Sequence, residues 1–90
     1  MNNNKVEQHK AICNMLNAIY QEKNSRYGDS FSLTFKELGI ISAVTRMTDK
    51  MNRIKQLTTG KSETIDESLK DTLLDLANYA IMTVIELDKK

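Results

Sequence analysis

Proline is absent from this chain, and glycine occurs three times in 90 residues. Proline removes a backbone donor and kinks a helix; glycine costs helix stability through its backbone freedom. A chain short of both favours long, uninterrupted helices. Apolar spacing points the same way. Val6, Ile12, Cys13, Leu16, Ile19 and Tyr20 recur at three- and four-residue intervals along a block from about Asn4 to Lys23. Asn4 fits an N-cap with Glu7 three residues on, and Asn24 fits a left-handed C-cap.

A second block begins at Thr34. Thr34-Phe35-Lys36-Glu37 has the form of a capping box, with Leu33 and Leu38 as the hydrophobic staple. Gly39 would loosen this helix just after its first turn. Ile40, Val44, Met47, Met51 and Ile54 continue the stripe to Leu57, and Gly60 closes it. A third block opens at the capping-box pattern Thr64-Ile65-Asp66-Glu67 and runs to about Asp88. Leu69, Leu73, Leu76, Ala77, Ala80, Ile81 and Val84 give it a broad apolar face, able to serve both a subunit core and a helix in another subunit. The expected fold is all-α: a single three-helix domain over residues 1–90, assembling into an oligomeric helical bundle.

Size supports that assembly. A chain this short buries a modest core. Cys13 is the only cysteine, so no disulfide within the chain adds to it. A homo-oligomer and a reducing, cytoplasmic setting are therefore expected. The segment Met1–Lys5 has no apolar core of a secretory signal, and no stretch is long and apolar enough for a membrane span. Thirteen basic and twelve acidic residues leave a net charge of +1, which argues against general nucleic-acid binding. It leaves room for a small phosphorylated ligand, which local patches decide.

Three polar groupings are candidates for chemistry. Glu67, Asp71 and Asp75 follow i, i+4, i+8 on the third helix, with Asn78 on the same line. Acids in a row repel unless a cation sits among them. Mg²⁺ takes carboxylate oxygens together with substrate phosphates, so these three are candidate metal ligands. The plainer account is a capping residue followed by acids that complement the helix dipole. Arg46, Lys50 and Arg53 form a basic row on the second helix, beside Asp49. Such a row clamps phosphates, pairs with the acids of the third helix, or faces solvent. The segment Arg26-Tyr27-Gly28-Asp29-Ser30-Phe31 is expected as a loop. Its aromatic faces and hydrogen-bonding groups suit stacking a base and fixing a sugar; alternatively, the rings of Tyr27 and Phe31 fold back to plug the core.

Other residues carry less. His9 fits a half-buried structural histidine at the edge of the first stripe, and Cys13 a small core hydrophobe. One histidine and one cysteine make no zinc set. Ser62 and Ser68 have no histidine at a useful spacing, and Gly28, Gly39 and Gly60 form no phosphate loop.

Taken together, Arg26–Phe31, Arg46–Ile54, Glu67-Ser68, Asp71-Thr72, Asp75-Leu76 and Asn78-Tyr79 resemble the nucleotide-modification-associated domain family, small proteins of bacteriophages and bacteria. The resemblance spans roughly Asn17 to Leu87. It implies an all-α fold and a part in nucleotide metabolism. The acidic helix is also similar to the last motif of the MazG-type nucleoside triphosphate pyrophosphohydrolases, which bind Mg²⁺ through acidic clusters on two helices within dimers or tetramers. Glu67, Asp71 and Asp75 match the later cluster; the earlier one is missing, with Glu37 alone in its place.

Three functions follow as expectations. The first is a phage-type protein that holds or sequesters a nucleotide, such as a host defence signal, in the host cytoplasm. Arg46, Lys50 and Arg53 would hold phosphates, Tyr27 and Phe31 the base, and Arg26 and Asn78 would complete the site. The second is a Mg²⁺-dependent pyrophosphohydrolase using Glu67, Asp71 and Asp75 as metal ligands. The third is a protein-interaction module whose charged rows are ion pairs alone.

Overall fold

The computed structural model describes residues 4–59 and 65–89, which form four α-helices and no strand: α1 (Asn4–Tyr27), α2 (Ser30–Leu38), α3 (Ile40–Thr59) and α4 (Ile65–Asp88). None of these helices is long and apolar enough to cross a membrane. Chain contacts divide into two compact units, residues 1–30 and 31–90.

In the first unit, α1 includes Asn4, passes the expected C-cap at Asn24 and ends at Tyr27. Two interactions with the preceding turn support the extra residues. Ser25 Oγ donates to the Glu22 carbonyl at 3.0 Å, and the Arg26 guanidinium pairs with Glu22 at 3.1 Å. The Gly28 N–H donates to the Asn24 carbonyl at 3.0 Å. Gly28 and Asp29 then adopt φ of 61° and 59°. This is the left-handed region, which glycine enters without strain and aspartate more easily than most residues. Leu16 is buried. His9 and Cys13 are not: both are exposed, with Cys13 Sγ 3.7 Å from His9 Nδ1. One turn of α1 places them side by side, and neither serves the core.

In the second unit, the expected second helix is two helices, and α2 starts four residues before Thr34. Phe31 explains the earlier start. Its ring is 6% exposed and stacks on Phe35 and on Tyr79 of α4, with centroids 6.4 and 5.9 Å apart. Phe31 and Phe35 share a face only if the turn between them is helical. Thr34 thus lies inside α2 and caps nothing, and Leu33 and Leu38 are exposed rather than stapled.

Gly39 separates α2 from α3. Its φ is 79°, and its N–H closes α2 onto the Phe35 carbonyl at 2.7 Å. Its own carbonyl accepts from the Ser42 N–H at 3.1 Å and from Ser42 Oγ at 2.8 Å, which starts α3. One glycine therefore ends one helix and opens the next.

The main packing is α3 against α4. Ala43 on α3 is fully buried. On α4 the buried residues include Thr72 and Thr83, whose hydroxyls donate to the Ser68 and Tyr79 carbonyls at 2.8 and 2.7 Å. Bonding back into its own helix lets threonine pack without a partner across the interface. Lys89 Nζ, 3.3 Å from Ser32 Oγ, ties the end of α4 to α2. The capping box at Thr64 and the stop at Gly60 lie outside the described residues.

Candidate functional site

A cleft of about 470 Å³ opens where α2, α3 and α4 meet. Small-ligand sites typically occupy about 300–1,000 Å³ and combine an apolar wall with a few converging polar groups. Here Leu38 and Ile41 give apolar wall, and Tyr79 of α4 adds an aromatic side. Arg46 and Lys50 supply positive charge, and Asp49 supplies one carboxylate. The α3 residues belong together by spacing: Ser42, Arg46 and Lys50 recur every four residues, beside Thr45 and Asp49.

Each polar group has a local reason for its position. The Arg46 guanidinium carbon lies 5.9 Å from the Phe31 ring centroid. The buried ring holds the guanidinium over its face at the cleft wall. Lys50 Nζ lies 3.5 Å from Asp75 Oδ2 of α4, with the two side chains 32% and 29% exposed. Thr45 Oγ1 donates to the Ile41 carbonyl at 2.8 Å, as Ser42 Oγ does to Gly39. Their hydrogens are thus engaged by backbone, which leaves the hydroxyl oxygens acceptor capacity alone.

The structure gathers part of the expected basic row here. Arg46 and Lys50 line the cleft; Arg53, almost a turn further on, is exposed and outside it. Asn78 is half-buried on α4 and does not line it. Phe31 follows the core-plugging alternative, since its ring is packed rather than open to a base. Tyr27 is 62% exposed in the first unit, with the Arg26 guanidinium 5.7 Å from its ring centroid.

The acidic row separates along α4. Four residues turn a helix about 400°, so each i, i+4 step drifts about 40° around it. Asp75 reaches the α3 interface and Lys50, while Glu67 and Asp71 are exposed. Glu67 and Asp75 also stand about 12 Å apart along the axis. Among the described residues, no three histidine, cysteine or carboxylate side chains converge as a metal site. Within this chain the three acids are spread along α4 and do not meet at one point.

Thr34, Thr45 and Tyr79 are cleft residues that the sequence did not single out as a site. Thr45 is recoverable as the residue one turn before Asp49, and Tyr79 as the residue one turn after Asp75. Thr34 was obscured by the apparent capping box.

Fold and cleft define an all-helical domain with a small, mixed-charge pocket. Over residues 23–87 the chain matches the family described as nucleotide modification associated domain 1, and it belongs to that family. Comparison with curated proteins and with solved structures gave no match.

Proposed function

We propose that this protein holds a nucleotide of low charge in the cleft between α2, α3 and α4. The observation that carries this is the presence of Arg46 and Lys50 together with Tyr79 in the lining of one cleft. Family membership supports a nucleotide as the ligand class. Arg46, oriented by Phe31, offers a planar fork to a phosphate, and Lys50 adds a point charge. Tyr79 and Leu38 offer surface to a base. Thr45, Ser42 and Asp49 accept from sugar hydroxyls or base amino groups.

The charges set the phosphate count. Arg46 and Lys50 are opposed by Asp49 in the wall and by Asp75 on Lys50. Little net positive charge remains, which suits a monophosphate or a phosphodiester better than a triphosphate. Holding rather than cleaving is the reading the side chains favour, because the α4 acids are spread along the helix.

Calorimetric titration of nucleoside monophosphates, cyclic phosphodiesters and triphosphates tests this. Arg46→Gln and Lys50→Gln should each weaken binding of the low-charge ligands about tenfold or more, as expected for loss of a charge-assisted hydrogen bond. Helical circular dichroism checks that both variants fold. Unchanged affinity in both folded variants would rule the cleft out.

A further inference from the structure

His9 and Cys13 are the single histidine and the single cysteine of the chain, and α1 sets them one turn apart on one face. Cys13 Sγ lies 3.7 Å from His9 Nδ1, and both residues are exposed. Free cysteine is ordinarily among the most buried residue types, so packing does not account for this one. Thiolate and imidazole are ligands of zinc and other thiophilic ions. Two such ligands four residues apart on a helix reach one ion from a single face.

The separation fits that chemistry. Tetrahedral zinc sits about 2.3 Å from a thiolate sulfur and about 2.0–2.1 Å from an imidazole nitrogen, which holds the two donor atoms about 3.6 Å apart. The observed 3.7 Å matches that spacing. Hard cations such as Mg²⁺ prefer oxygen and would not select this pair. One turn further along α1 in either direction stand Lys5 and Asn17. An ammonium group has no lone pair to give, and Asn17 Oδ1 already accepts from Gln21 Nε2 at 2.7 Å. Two positions on the ion are therefore left to water.

We propose that His9 and Cys13 chelate one Zn²⁺ per chain at an open, exchangeable site on α1. Cys13 gives up its thiol proton to solvent, and its sulfur and the Nδ1 lone pair of His9 each bond the ion. Water completes the tetrahedron. The site rests on α1 alone and is independent of nucleotide binding in the cleft.

The test is a Co²⁺ titration of the reduced full chain, followed by thiolate charge-transfer and visible absorption, with Zn²⁺ as competitor. The wild type should reach its end point at one Co²⁺ per chain, and Zn²⁺ should displace the Co²⁺. Mg²⁺ at the same concentration should displace none. Cys13→Ser should lose the charge-transfer band. His9→Gln keeps the thiol and should bind about tenfold more weakly or worse. Both side chains are exposed, so the circular dichroism of the two variants should match wild type. A wild type without the band overturns the proposal. So does His9→Gln titrating like wild type, which would mean a thiol acting alone, or an end point at one ion per two chains, which would put a second copy in the place of water.

Discussion

Lys50 Nζ on α3 lies 3.5 Å from Asp75 Oδ2 on α4, and this pair joins the basic row of one helix to the acidic row of the next. Both side chains are about a third exposed, so solvent screens the pair. Its contribution to stability is about 0.5 kcal/mol. Lys50→Met and Asp75→Asn should each lower unfolding free energy by that order in urea titrations. The double variant should lose little more than either single one, and the coupling should shrink in high salt. A coupling near zero at low salt would mean the pair is not formed in solution.

Phe31 should be the most sensitive aromatic of the second unit. It is buried, touches Phe35 and Tyr79, and carries the Arg46 guanidinium over its face. Phe31→Ala should cost about 3 kcal/mol in chemical denaturation, and Phe31→Leu clearly less. Ligand affinity of the folded Phe31→Leu variant should also fall, because Arg46 loses its support. A loss below about 1 kcal/mol for the alanine variant would contradict the packing described.

Gly39 tests the junction of α2 and α3. A Cβ there would meet no atom within 4 Å, so space is not the constraint. The φ of 79° is. Gly39→Ala should therefore destabilise by about 1–2 kcal/mol through backbone strain alone, and Gly39→Asn by less. A stabilised alanine variant would show α2 and α3 joined as one continuous helix.

Thr83 gives the opposite expectation. Its buried hydroxyl bonds back into α4, donating to the Tyr79 carbonyl. Thr83→Val removes donor and acceptor together and keeps the shape. Melting should show a change within about 0.5 kcal/mol of wild type. A large loss would reveal a partner across the helix interface.

Much of this architecture was legible in the sequence. The scarcity of proline and glycine gave an all-helical chain, and the α3–α4 ion pair was one of the alternatives open to the charged rows. The local signals that misled were genuine patterns with stronger competitors. Thr34-x-x-Glu37 has capping form, but burying Phe31 against Tyr79 demanded a helical turn upstream of it. Gly39 read as a weak point within one helix because its positive φ is a tertiary outcome. The acids at Glu67, Asp71 and Asp75 look aligned in sequence, yet helical drift carries only Asp75 to the interface. Tyr79 was hidden for a related reason: its place in the cleft depends on how α4 packs on α2 and α3, which no spacing along one helix reports.

The central claim is that the cleft holds a nucleotide intact, and a capture-and-release measurement tests it most directly. Purified protein is mixed with linear and cyclic nucleotides, with and without Mg²⁺, and free ligand is removed. The protein is then heat-denatured and everything released is identified. The account predicts a low-charge nucleotide that is retained, returns chemically unchanged, and is no longer retained by folded Lys50→Gln protein. Release of a cleaved product, or no retention by the wild-type chain, would contradict it.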